Sequence, residues 1–354
     1  MGHISDYTLD AITLLKSLIS IPSISREEQK AADFLQTRME EMGLVPQRSG
    51  NNIWCINPQY QPTKPTILLN SHIDTVKPVS GWIREPFTPT IEEGRLYGLG
   101  SNDAGASLVS LLQVYNHLSK TEQDYNLIFL ASCEEEVSGK NGIESVLPQL
   151  PPIAMALVGE PTDMQPAVAE KGLMVLDVIA HGKAGHAARN EGINAIYQAM
   201  DDLCWFRDYR FAKESPLLGP VKMTVTVIQA GTQHNVIPDQ CTFLVDVRSN
   251  ECYSNEELFQ EICKHVKSEV KAHSFRLNSS HIDLQNPLVQ RAIELGKVPF
   301  GSPTLSDQAL MNFPSLKMGP GHSARSHSAD EYICISEIEN AIQTYITLLD
   351  GLII

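Results

Sequence analysis

The chain has 354 residues, 42% hydrophobic and 19% charged, with a formal net charge of -15 at pH 7. That length exceeds one ordinary core and predicts two domains, while the composition excludes a disordered chain. So acidic a balance excludes nucleic-acid and anionic-membrane partners.

Seven cysteines, an odd number without a C-x-x-C pair, spell neither a disulfide framework nor a zinc ribbon. Reduced thiols in a cytoplasm are the simplest reading. The first 25 residues lack a basic stretch leading into an apolar signal core, and their apolar residues recur at helical spacing. No stretch reaches the roughly 20 apolar residues of a membrane span. The expectation is a soluble, cytoplasmic protein.

Helices are predicted near residues 7–20 and 27–43, followed by strands at "NIWCIN" and "TILLNSH". The helix "ASLVSLLQVYNHLS" and the strands "NLIFLAS" and "IAMALVG" come next. This alternation predicts an α/β fold, a sheet with helices on both faces. The order then changes to the strand "LMVLDVIAHG", a helix over 192–207, the strands "VKMTVTVIQAG" and "CTFLVDVRS", a helix over 254–272 and a last strand at "FRLNSSHI". That β-α-β-β-α-β order is the ferredoxin-like plan. From "NPLVQRAIELG" the helix–strand alternation resumes and ends in the helix "ISEIENAIQTYITLLDGL". The predicted architecture is one α/β domain built from 1–171 and 282–354, interrupted by a smaller α+β insert over 172–281.

Five stretches place acids or histidines at strand ends and turns. "LLNSHIDTV" carries His72 and Asp74, which share a face if the strand runs on, because side chains two apart point the same way. Such a pair reads either as a histidine capped by a neighbouring acid or as a metal ligand oriented by a carboxylate. "YGLGSNDAGAS" sets Asp103 in a glycine-rich turn before a helix, where it reads equally as a helix cap. The spacing of that turn fits no phosphate-binding loop. "LASCEEEVSGKNG" runs an apolar strand into Glu134, Glu135 and Glu136, at the kind of strand end where α/β sheets keep their sites. "LVGEPTD" ends a strand in Glu160, and "KMGPGHSARSHSADEY" offers His322 and His327.

If these ends meet at one sheet edge, several carboxylates enter one cleft and repel or force protonation. Two divalent cations remove the repulsion. Three carboxylates and two neutral imidazoles around them leave a net positive charge, enough to bind and acidify a water. Histidine mixed with carboxylate suits zinc, with cobalt or manganese as substitutes.

"SHIDTV", "GSNDAG", "CEEE", "VGEP" and "GPGHSARSHSADE", in that order, resemble the dinuclear zinc amidohydrolases and peptidases that include acetylornithine deacetylase and succinyl-diaminopimelate desuccinylase. The resemblance covers essentially the whole chain. The "GPG…H…ADEY" ending and "GHAARNEGINAI" look most like the acetylornithine deacetylase branch. It implies that His72, Glu160 and a bridging Asp103 hold one zinc, and that His327, Glu136 and the same Asp103 hold the other. Asp74 would orient His72, and Glu135 would be the general base. The family's spacing after its acid pair places the base at Glu135 and the ligand at Glu136. His327, directly before "SADE", is preferred to His322. A cis peptide between Asp103 and Ala104 is also implied.

In the insert, "HGKAGHAARN" resembles the lid segment whose histidine polarises the scissile carbonyl, here His186. "GTQHNVIPD" and "DVRS" supply Asn235 and Arg248 for the substrate carboxylate. The resemblance makes the insert a lid and dimerisation domain, with His186 serving the neighbouring subunit of a homodimer. The expected activity is hydrolysis of an N-acyl-L-amino acid, N-acetyl-L-ornithine first, as in arginine biosynthesis. Desuccinylation of an ornithine, citrulline or diaminopimelate derivative, or dipeptide cleavage, is open on the same site. A non-catalytic metal- or amino-acid-binding protein is the reading from another class, and an acid at the base position speaks against it.

Overall fold

Runs of apolar residues with both alternating faces buried need cover on two sides, and the first half of the chain supplies it. The computed structural model describes residues 2–189 and 191–354. Asn190, inside the quoted "GHAARNEGINAI", lies outside the described residues. The chain divides into two compact units, one of Met1–Val168, His281–Phe300 and Ser306–Ile354, the other of Ala169–Ser280 and Gly301–Leu305. The return of Gly301–Leu305 to the second unit has no counterpart in a simple insert over 172–281.

The larger unit opens with α1 (Gly2–Ile19) and α2 (Gln29–Glu41), then β1 (Asn52–Ile56), β2 (Thr66–His72), α3 (Ala106–Leu118), β3 (Asn126–Ser132) and β4 (Met155–Val158). β2 lies parallel to both β3 and β4, while β1 runs antiparallel to β3. The sheet is therefore mixed, its parallel strands joined through helix-bearing crossovers. Burial alternates by residue. Ile67, Leu69, Leu127, Phe129, Met155 and Leu157 enter the core that includes α1 and α3, whereas Leu68, Ile128, Leu130, Ala156 and Val158 enter a second core with Trp54, Ile143 and Val146. The parallel β2, β3 and β4 consequently end at the same edge, and the segments after them carry Asp74, Glu135 and Glu160.

The smaller unit contains β5 (Met174–His181), α4 (Ala195–Asp208), β6 (Lys222–Ala230), β7 (Gln240–Arg248), α5 (Asn255–His265) and β8 (Glu269–Ala272). Its sheet has the order β6-β7-β5-β8, all antiparallel, which is the ferredoxin-like arrangement. β5 and β7 alternate buried and half-buried residues, and their buried set packs on Ala195, Ala199 and Phe206 of α4 and on Leu258 and Ile262 of α5.

The expected helix over 254–272 is corrected here: it ends at His265, and Glu269–Ala272 forms the fourth strand. Leu258, Ile262, Val266 and Val270 recur every four residues, a spacing close to one helical turn and also a multiple of the strand period. Only pairing to β5 decides between them. "FRLNSSHI" accordingly contributes just Ser280–His281 as strand.

The larger unit resumes with α6 (Pro287–Glu294), β9 (Ser315–Lys317), parallel to β4, and α7 (Ile335–Leu349), which packs with α1 and α3. Among the described residues no helix is long and apolar enough to cross a membrane.

Asp202 of α4 is buried and accepts hydrogen bonds from Lys267 N (3.1 Å), Ser268 N (2.9 Å) and Ser268 Oγ (2.5 Å). Asp202→Asn keeps the shape but turns an amide NH2 toward donors. It should lower stability by about 1–3 kcal/mol, the usual cost of a buried unsatisfied group. A urea unfolding curve that shifts by less than about 0.5 kcal/mol would show that these donors are served otherwise.

Candidate metal centre

His72 closes β2 with its ring buried, and its Nδ1 lies 2.9 Å from the main-chain carbonyl of Asp74. A carbonyl only accepts, so Nδ1 carries the proton and Nε2 is the nitrogen left to ligate. Nε2 faces Asp103 Oδ1 at 3.3 Å, Glu160 Oε1 at 3.6 Å and Glu135 Oε2 at 3.9 Å. Burial alone would strip the ring of charge, but Glu160, Asp103 and Asp74 outweigh it and push His72 well above the usual histidine range.

The nearest orienting group of Asp74 is thus its backbone carbonyl, with the carboxylate at 3.6 Å from Nδ1. The carboxylate has a second task. Its Oδ1 accepts from Glu135 N at 3.0 Å, and its Oδ2 accepts from Glu136 N at 3.2 Å and Ser25 Oγ at 2.7 Å. One buried acid therefore seats the turn that presents the two glutamates.

The acid triplet is sorted by that turn. Glu134 adopts φ 55°, and its Oε1 accepts from Asn141 Nδ2 at 3.0 Å. Glu136 lies against His327 Nε2, at 2.9 Å from Oε2 and 3.1 Å from Oε1. Glu135 lies toward His72. Burial, joined by Glu160, Asp307 and Glu136, pushes Glu135 well above the carboxylate range against the pull of His72. Glu160 is raised likewise, by burial first and then by Asp103.

Asp103 stands between the histidines. Its Oδ1 is 3.3 Å from His72 Nε2 and its Oδ2 is 3.6 Å from His327 Nε2. Against burial, the His72 imidazole holds Asp103 and Asp74 below their ordinary range. The peptide bond between Asp103 and Ala104 is cis. Three ligand-type atoms of His72, Glu135 and Glu160, and three of His72, Asp103 and Glu136, lie within 4.8 Å of one another. Both sets run through His72 and leave out His327, which the distances to Glu136 and Asp103 bring to the same cluster.

His322 has a local role: its Nδ1 accepts from Ala324 N at 3.1 Å. Its backbone N–H donates to Asn102 Oδ1 at 3.1 Å, and Asn102 Nδ2 donates to His322 O and Ser326 Oγ, each at 3.2 Å. Gly321 at φ +83° permits this approach, since a Cβ there would sit 2.1 Å from Asn102 Oδ1.

Sequence reasoning passed over two buried acids. Asp307, in the loop "TLSDQAL", accepts from Ser132 Oγ at 2.6 Å, and burial pushes it up to about 6. Glu331 accepts three backbone N–H groups of the Asp103 turn. Neither sits on a periodic pattern; Glu331 ends the quoted "SADE", which gives it no role of its own.

The other expected residues lie in the smaller unit. His186 is exposed, and its Nδ1 accepts from Ala188 N at 3.1 Å. Gly185–His186 pairs with Val236–Ile237, and Ala187 N donates to Asn235 O at 3.0 Å, so the segments that carry His186 and Asn235 adjoin. Arg248 is not brought to them. β7 pairs Gln240 with His181 at one end and carries Arg248 at the other, about 27 Å away at about 3.4 Å per residue. There Arg248 clasps Asp246 through Nε at 2.8 Å and Nη2 at 3.1 Å. Asn235 and Arg248 thus do not share one site within this unit.

The Glu136 hydrogen bond, acting against partial burial, pushes His327 up from 6.5 to about 9. A folded value above the unfolded one means that this pair's stabilisation is complete below about pH 6.5 and is lost as pH rises through about 9. In chelator-treated protein, the His327 imidazole should titrate near pH 9 by NMR. Glu136→Gln should return the midpoint toward 6.5, and an unmoved midpoint would remove Glu136 as the cause.

Comparison with known proteins places this geometry. The profile of "Peptidase family M20/M25/M40" matches residues 68–351. An M20 peptidase-domain protein of Schizosaccharomyces pombe is 28% identical over 350 residues, covering 94% of this chain and 82% of that one. A succinyl-diaminopimelate desuccinylase of Wolbachia pipientis is 24% identical, covering 95% and 92%. An acetylornithine deacetylase of Proteus mirabilis is 25% identical, covering 93% of each chain. The crystal structure of a tripeptidase from Staphylococcus aureus shares the fold, with a TM-score of 0.76 at 19% identity over 97% of each chain. This chain belongs to peptidase family M20/M25/M40 and is a metal-dependent hydrolase of amide bonds.

Proposed function

We propose that the chain removes the acyl group from an N-acyl-L-amino acid, N-acetyl-L-ornithine first among them, at a centre of two zinc ions. The observation that carries this reading is Asp103, whose two oxygens are divided between His72 and His327. His72, Asp103 and Glu160 would hold one ion, and His327, Asp103 and Glu136 the other. The mixture of imidazole and carboxylate suits zinc, with cobalt or manganese as substitutes. When bound, such ions supply Lewis acidity, which lowers the pKa of water and polarises an acyl oxygen.

The chain's own groups do the rest. Glu135 stands farther from His72, at 3.9 Å, than Asp103 or Glu160, in keeping with a base rather than a ligand. Burial keeps its proton affinity high, as a group that takes and returns a proton near neutral pH requires. Glu135 accepts the proton of the attacking water and hands it to the leaving amine. Asp74 holds both the His72 ring and the backbone of Glu135 and Glu136.

The "GPG…ADEY" ending favours deacetylation, and the acetylornithine deacetylase of Proteus mirabilis matches nearly end to end. Desuccinylation has support of the same kind from the Wolbachia enzyme. N-acetyl, N-succinyl and dipeptide derivatives of ornithine, citrulline and diaminopimelate decide between them by their kcat/KM order. Seven free cysteines accord with a reducing cytoplasm.

The smaller unit is the proposed dimerisation surface. β6 is an edge strand that exposes Val227 and Ile228, and the adjoining α4 exposes Ile196, Tyr197 and Met200. Unpaired edges and apolar patches of this kind favour association. His186 would then reach the partner subunit's site and stabilise the oxyanion of the acyl group, with Asn235 beside it for the substrate carboxylate.

Chelation should abolish hydrolysis and zinc or cobalt should restore it. Glu135→Gln should keep metal content by elemental analysis while losing about 10²–10⁴-fold in kcat. Glu136→Gln should lose metal. The opposite pattern would exchange the two roles.

A second experiment addresses His186. Chains carrying His186→Ala and Glu135→Gln, each nearly inactive, are mixed and allowed to exchange. A shared site predicts partial recovery, because one site of the heterodimer is intact. No recovery after mass spectrometry has verified exchange would confine His186 to its own subunit or to no role.

A further inference from the structure

We infer that Glu331 is a positioning residue that sets the Asp103 carboxylate between the two histidines, an inference that rests on the metal-hydrolase reading above. Glu331 is buried at 2% exposure. Its Oε1 accepts from Asn102 N at 2.8 Å and Asp103 N at 2.9 Å, and its Oε2 accepts from Gly100 N at 3.1 Å. Its own carbonyl accepts from Gly98 N at 3.0 Å. Four backbone donors within the six residues 98–103 therefore converge on one residue. Asp103 is among them, so its backbone is fixed at its amide nitrogen while its carboxylate stays turned to the histidines.

The same residue lies four positions after His327. Asn102, one residue before Asp103, closes the connection from the other direction through His322 and Ser326. The bridging acid and His327 are thus held as one frame. Groups that orient metal ligands through hydrogen bonds typically govern metal affinity or activity by 10–100-fold, without touching the metal or the substrate.

A stabilising cap would affect folding alone, and Asp202 provides that comparison as a buried carboxylate taking backbone N–H donors in the smaller unit. Metal-stripped wild type, Glu331→Gln and Asp202→Asn are titrated with zinc against a chromogenic chelator, and the cobalt-loaded proteins are compared by visible absorption. Glu331→Gln should lose about 10–100-fold in zinc affinity and shift the cobalt bands. Asp202→Asn should melt earlier yet keep wild-type affinity and spectrum.

Wild-type affinity and spectrum in Glu331→Gln would overturn this inference and leave the metal reading standing. Wild-type protein that takes up no zinc or cobalt would overturn that reading and this inference with it. Should Glu331→Gln fail to fold, Glu331→Asp keeps the charge and shortens the reach by one methylene. Weakened zinc affinity there supports the frame, and unchanged affinity refutes it.

Discussion

The candidate metal centre of the larger unit depends on the repulsion among carboxylates that share one buried sheet edge. Asp74, Asp103, Glu135, Glu136, Glu160 and Asp307 crowd around His72 and His327, and burial raises the cost of each charge. Such a cluster persists only where positive charge is supplied among the acids. The raised proton affinities of His72 and His327 express that demand, and a divalent metal answers the same demand with more charge in less space. The Asp103 carboxylate is where the arrangement converges, because among the described residues it is the one acid within 4.0 Å of both rings.

The fold meets this constraint by dividing labour between strands and loops. Parallel β2, β3 and β4 end together and deliver His72, the glutamate turn and Glu160 from a rigid sheet whose two faces are both packed. Asp103 and His327 come from loops, which have no such support of their own. Their rigidity is supplied by side-chain bonds to backbone, Asn102 to the His322–Ser326 loop and Glu331 to the Gly100–Asp103 turn, as Asp74 does for the Glu135–Glu136 turn. The polar groups that carry chemistry are thus held by a second set of polar groups that carry none.

Much of this was legible in the chain. Strands such as "TILLNSH" and "NLIFLAS" coincide with β2 and β3 because a fully buried strand between turn signals has few alternatives. The ligand-type residues could be picked out because acids and histidines at the ends of apolar strands are conspicuous against their neighbours. The helix over 254–272 was misread because Val266 and Val270 satisfy two periods at once. Asp307 and Glu331 stayed hidden for a different reason. An isolated acid in a loop looks solvated, and its burial is decided by residues far away in sequence.

Residue type and local order by themselves determined the α/β plan with its ferredoxin-like insert, the acids and histidines at strand ends and turns, and the M20-like succession of motifs, because each depends on near neighbours along the chain. Tertiary structure alone decided that the Asp74 carboxylate seats the Glu135–Glu136 turn, that His322 bonds Ala324 within its own turn, and that Arg248 stands at the opposite end of β7 from Gln240. Those outcomes depend on φ/ψ at single turn residues and on pairing register. A change of one residue in either turns a side chain to the opposite face, and no local pattern records it.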